Sequence, residues 1–207
     1  MLENIPIEAQ EIVPGRPFTD PVHSQNDLRR MRMMAQQLLD RYDDPQSCNF
    51  FPGKNVVSPS DPAGRHFQIY YIQPELLFSL NNLTVVGFFG IKRPGADIEP
   101  LVRANNRMED DFHNHPGLLS LSTVELPSKN FANLVIFSDP RAKQDWNRST
   151  LHRDLVAEVS PPYYQSVRLN NAILPRGLAA PKKMRLTRIK YIDYTSEPHW
   201  RGVRSLV

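Results

Sequence analysis

Between residues 24 and 42 the apolar positions Leu28, Met31, Met34, Ala35, Leu38, Leu39 and Tyr42 recur at intervals of three and four. This spacing predicts an amphipathic helix with Ser24 as its N-cap, ended by Asp43-Asp44-Pro45. The methionines at 31, 33 and 34 could form a soft binding face, but core packing is the common case at this spacing. An irregular segment is expected from there to Gly64. His66-Phe-Gln-Ile-Tyr-Tyr-Ile72 has strand composition, and Leu76 to Leu80 reads as a short strand or a helical turn.

The pattern becomes more regular after residue 82. Thr84-Val-Val-Gly-Phe-Phe-Gly-Ile-Lys92 predicts a strand closed by Arg93-Pro94-Gly95, and Ile98, Leu101, Val102, Met108 and Phe112 mark a helix closing near His115-Pro116-Gly117. Residues 118–125 and 131–137 predict a hairpin around Pro127-Ser-Lys-Asn130. A second helix is expected from Ala142 or Ser149 to Val159, then a proline-rich excursion over Pro161–Pro181, then a last strand, Met184 to Tyr194. The order strand, helix, strand, strand, helix, strand is the split βαβ arrangement, with helices on one face of an antiparallel sheet. The fold class expected is therefore α+β, ferredoxin-like βαββαβ. Its second sheet face carries costly apolar surface, at ~25 cal/mol per Å2, which implies sheet-on-sheet dimerisation or cover from the N-terminal arm.

Three regions follow: residues 1–80 as an arm, helix and strand elaborating the main domain, 81–195 as the ferredoxin-like domain, and 196–207 as a C-terminal tail. Nineteen prolines against nine glycines, concentrated at residues 6–21, 45–62, 161–162 and 175–181, mark wrapping segments. The apolar residues of the arm, Ile5, Ile7, Ile12, Val13 and Phe18, suggest that it packs on something.

The formal charge of +3 is small. Its basic excess lies in residues 181–190 and 201–204 without interleaved stacking aromatics, which reads as a solvated strand face and not a nucleic-acid site. The single cysteine, Cys48, excludes an intramolecular disulfide and suits a reducing compartment. With no signal-peptide pattern and no apolar run near the roughly 20 residues of a membrane span, a soluble cytoplasmic protein is expected.

Chemically capable side chains concentrate in Asp139-Pro-Arg-Ala-Lys-Gln-Asp-Trp-Asn-Arg-Ser-Thr-Leu-His152. The element order, the hairpin, the turn Phe137-Ser-Asp-Pro140 and the pattern Trp146-x-x-Ser149-x-x-His152 together resemble the dimeric α+β barrel superfamily over residues 82–194. That superfamily includes antibiotic-biosynthesis-monooxygenase-like, EthD-like and stress-responsive barrel proteins. The resemblance implies two sheets closing a barrel across a homodimer, with a pocket between sheet and helices in each protomer. It also implies small-molecule chemistry, in several members metal-free oxidation of polyketide-like aromatics, in others haem binding.

Within that frame His152 is the candidate acid–base residue, because a neutral imidazole exchanges protons near pH 7. Capping or packing at the helix surface is its plain alternative. Trp146 offers a flat wall or a core ring, and Asn147 and Ser149 offer polar contacts or helix caps. Tyr163 and Tyr164 could close a pocket, with Arg168 or Asn170 adding polar contacts, or anchor a loop to its own core, and Tyr70-Tyr71 are open to the same two readings. No metal is expected: His113 and His115 are two apart and point different ways on a helix, so an interaction with the helix C-terminus suits them better. Glu109, Asp110 and Asp111 read as solvated. No cofactor is expected, with haem held by His152 or His113 as the alternative, and a non-enzymatic assembly protein as a further one.

Overall fold

The computed structural model describes residues 4–43, 48–51, 56–59 and 66–206. Its central feature is a single ten-stranded sheet. In chain order the elements are β1 (Ile5–Pro6), α1 (Pro21–Asp43), β2 (Cys48–Phe51), β3 (Val56–Pro59), β4 (Phe67–Tyr71), α2 (Pro74–Ser79), β5 (Leu83–Lys92) and α3 (Glu99–Asp111). There follow β6 (Leu118–Glu125), β7 (Phe131–Phe137), α4 (Pro140–Arg148), α5 (Thr150–Asp154), a π turn over Leu155–Val159, α6 (Ser160–Tyr163), β8 (Tyr164–Leu174), β9 (Arg185–Asp193) and β10 (Trp200–Ser205).

Across the sheet the strands run β1-β10-β9-β8-β5-β7-β6-β4-β3-β2. Its centre, β8-β5-β7-β6, carries the fourth, first, third and second strands of a βαββαβ unit, all antiparallel. This is the ferredoxin-like order, with α3 and α4–α6 as its two crossovers. The expected fold class is therefore correct at its core. The fourth strand, however, is Tyr164–Leu174, not residues 184–194, so the stretch expected to be an excursion is the longest strand of the sheet. Residues 185–193 form a fifth strand, β9, paired to β8, and β10 in the tail pairs to β9 in turn.

The strand β8 escapes the apolar pattern because its two faces meet different partners. Val167 and Leu169 point toward the crossover helices, while Arg168 and Asn170 point toward α1. There Asp27 accepts hydrogen bonds from Arg168 Nε at 2.7 Å, Arg168 Nη2 at 3.0 Å and Asn170 Nδ2 at 3.0 Å. The polar face is buried because it is paired, which no hydrophobicity pattern displays.

Helix α1 lies on the face that a dimeric barrel would share between protomers. Met31, Met34, Ala35 and Leu38 are all at or below 2% exposure and pack with Leu83, Val85, Leu119, Leu134 and Leu174. The fit is close: a Cβ on Gly87 of β5 would come within 2.5 Å of Met31 Sδ. Burying each large side chain is worth about 1.5–3 kcal/mol, so the chain satisfies this face itself. The sheet is open, its edges are β1 and β2, and no barrel closes; the barrel expectation is corrected by α1. The helix starts at Pro21, three residues before the expected cap, and Asp20 Oδ1 accepts from Val22 N at 2.8 Å. Ser24 is instead buried against Tyr191 Oη. No helix among the described residues is long and apolar enough to cross a membrane.

The arm is fastened at the far edge. Ile5 and Pro6 pair in parallel with Gly202 and Val203, and Ile7 and Phe18 join a cluster with Ile189 and Tyr191. Ile5 and Ile12 stay exposed. Arg204, 1% exposed, donates to the carbonyls of Glu8, Glu11 and Thr19 and to Tyr191 Oη. The segment expected to be irregular up to Gly64 contains β2 and β3, so Cys48 begins a strand. Residues 76–80 fall in and just after the helix α2.

Candidate functional site

Because alternate strand residues face opposite sides, the partners of the α1-facing core point toward the crossover helices. Val86, Phe88, Leu121, Val135, Leu169 and Ile192 form an apolar floor, over which α3, α4, α5, the π turn and α6 make a roof. Roof and floor do not meet everywhere. They enclose a cavity of about 760 Å3, within the range of small-molecule sites. The face of α3 that lines it explains the gap in part: Leu101, Val102 and Met108 alternate with Asn105 and Glu109, so the stripe is not wholly apolar.

One wall is an aromatic series. Tyr70 of β4 meets Phe112 edge-on at 5.5 Å, Phe112 meets Trp146 of α4 at 6.1 Å, and Trp146 meets His152 of α5 at 5.4 Å. The ring of His115 stands edge-on to Trp146 at 4.7 Å, and its Nε2 lies 2.9 Å from Asp111 Oδ2. A hydrogen bond from Asn114, with His115 second, holds the Asp111 carboxyl below its usual range. Tyr70 Oη donates to Glu109 Oε1 at 2.5 Å. Burial, then the Glu109 carboxylate, pushes the Tyr70 phenol up, so it remains a donor. Glu109 and Asp111 are thus engaged, contrary to their reading as solvated.

Local chain chemistry places His152. Asp139 Oδ1 accepts from Arg141 N and Ala142 N at 2.7 and 2.9 Å, and Pro140 occupies the first position of α4. The helix stops at Ser149, whose Oγ accepts from His152 N at 3.3 Å and opens α5. This break turns the second helix so that His152 comes back against Trp146. Burial first, then the charge of His115, lowers the imidazole to about 4. The ring is therefore neutral at pH 7, a base and not an acid. Among the described residues, no hydrogen bond occupies either ring nitrogen.

Of the residues expected at the site, His152, Trp146, Asn147 and Tyr164 line the cavity. Tyr164 is held there by Gly90, where a Cβ would come within 2.3 Å of its ring. Ser149 acts as a cap. Tyr163 lies behind Tyr164, edge-on at 4.7 Å, and packs in the core away from the cavity. Arg168 lies on the opposite face of the sheet, bound to Asp27. His113 is exposed and outside the cavity. Among the described residues no group of three or more His, Cys, Asp and Glu could hold a metal ion.

Sequence reading missed Glu109, Lys143, Asn171 and Lys190, all of which line the cavity with Tyr70. A signal existed for Lys143: with Trp146 and Asn147 it forms an i, i+3, i+4 set on one face of α4. Asn171 and Lys190 carried none, because the strands holding them were not placed side by side.

No family model matches the sequence, nor does any curated protein. Among solved structures, protein SO0527 from Shewanella oneidensis is 14% identical, covering 52% of this chain and 98% of that one, with a TM-score of 0.38. The heme-degrading enzyme LmHde from Listeria monocytogenes is 15% identical, covering 52% and 74%, with a TM-score of 0.35. A monooxygenase-like protein from Listeria innocua is 14% identical, covering 60% and 76%, with a TM-score of 0.32.

Proposed function

We propose that this protein is an enzyme acting on a small aromatic or polyketide-like molecule held in the cavity, with His152 as its general base. The observation that carries the reading is a neutral imidazole, its nitrogens without a hydrogen-bond partner among the described residues, on the wall of an apolar, aromatic-lined cavity. Trp146 supplies a flat surface for the ligand, and Asn147 and Tyr164 supply polar contacts. His152 takes a proton from a phenol or enol, leaving an electron-rich enolate, the species that dioxygen oxidises without a metal.

The magnitude of the transfer sets a condition. Moving a proton from a phenol near 10 to an imidazole near 4 costs roughly 8 kcal/mol, at 1.36 kcal/mol per unit. Negative charge arriving in the cavity must therefore raise the imidazole, and the cavity must stabilise the oxyanion that forms.

The test is oxygen consumption with an anthrone as substrate. Turnover by the wild-type chain and a loss of about 100-fold or more in His152→Ala support the reading, in line with the usual contribution of a general base. Equal turnover in the variant refutes it. The same imidazole would also ligate haem iron from the α5 side; a Soret band after expression with haem, lost in His152→Ala, would replace the acid–base reading with that one.

A further inference from the structure

The cavity has a cationic end. On adjacent strands Leu169 pairs with Lys190 and Asn171 with Arg188, so these four side chains form a block on the cavity face of β8 and β9. Lys143 reaches down from α4, its Nζ donating to Asn171 Oδ1 at 3.0 Å. Arg201, paired with Ile192, extends the block on β10. Lys143 and Lys190 are both half-buried and both line the cavity.

Buried like charges are costly unless paired. Among the described residues, no carboxylate lies within ion-pair distance of either ammonium. One of Lys143's three N–H donors is spent on Asn171, and no hydrogen bond from Lys190 Nζ is formed within the described residues. Burial and the neighbouring cations push both ammoniums below the usual lysine range. The cavity's own carboxylate, Glu109, cannot neutralise them. It binds Tyr70 on β4, and β4 is four strand positions from β8, roughly 19 Å at ~4.8 Å per strand.

We propose that Lys143 and Lys190 bind an anionic group, a carboxylate or an acidic enol, carried by an otherwise aromatic ligand. This rests on the cavity being the ligand site, and it names the ligand's class. The ammoniums fix the charged end over β8 and β9, and the ring system lies along the apolar floor.

Calorimetric titration of the full chain with 2-naphthoate and its near-isosteric neutral partner 2-naphthamide tests this. Wild-type protein binds naphthoate between about tenfold and a hundredfold tighter, the range of one charge-assisted hydrogen bond. In the double variant Lys143→Gln/Lys190→Gln the two probes bind alike and naphthamide affinity is unchanged. His152→Ala keeps the preference, so loss of the base reading through turnover leaves this result standing. Equal affinities in the wild type, or a preference surviving the double substitution, overturn the proposal. Binding of neither probe overturns both it and the cavity reading.

Discussion

The covering of the sheet by α1 depends on a charged contact that can be broken from one side. Asp27 is 5% exposed and accepts three hydrogen bonds, two from Arg168 and one from the fully buried Asn170. Asp27→Ala strands a guanidinium whose side chain is 12% exposed. Breaking such a pair from one side costs about 3–5 kcal/mol, a large part of the roughly 5–15 kcal/mol that holds a domain. At about 2–4 °C per kcal/mol for a chain of this size, the midpoint of thermal unfolding falls by roughly 6–20 °C. Urea unfolding followed by tryptophan fluorescence, with melting by circular dichroism, measures both quantities. Replacing both partners, as Asp27→Leu with Arg168→Met, removes the stranded charge and recovers most of the loss. A cost below about 1 kcal/mol for Asp27→Ala, or a double variant as unstable as the single one, would refute the docking of α1 through this pair.

Two further outcomes follow from the same structure. Unfolded, the His152 imidazole binds its proton at about 6.5, folded only at about 4. Between these values the unfolded state holds more protons, so stability falls as pH is lowered through this window and levels off below it; His152→Gln flattens that slope in denaturant titrations, and an unchanged slope contradicts the burial of the ring. Light scattering of the wild-type chain at micromolar concentration gives the mass of one chain, because the barrel-forming face lies under α1; a stable dimer would show that another surface associates.

The βαββαβ core was legible where apolar periodicity coincides with burial, in β5, α3 and the β6–β7 hairpin, as was the helix α1 that covers it. It failed at β8, where Arg168 and Asn170 are buried through pairing with Asp27, 141 and 143 residues away in sequence. It failed at β10 as well, where a tail of mixed polarity gains its order from β9 and the arm. At the site, residues on one helix were within reach: Trp146, Asn147 and His152 were found because a single segment carries them. Lys190, Asn171 and Tyr70 meet that segment only through the strand order. The solvated reading of the basic stripe over 181–190 holds for Lys182, Lys183, Arg185 and Arg188, which are exposed; Lys190 alone of the five departs from it, facing the cavity while its neighbour Ile189 faces the core.

The fastening of the arm to β10 has a consequence for synthesis. Ile5 and Pro6 pair with Gly202 and Val203. At about 5–20 residues per second, a ribosome needs roughly 10–40 s to make the chain between them. Throughout that interval the arm has no edge to join and Arg204 does not yet exist, so a segment made well before its partner strand waits for that strand to find its place.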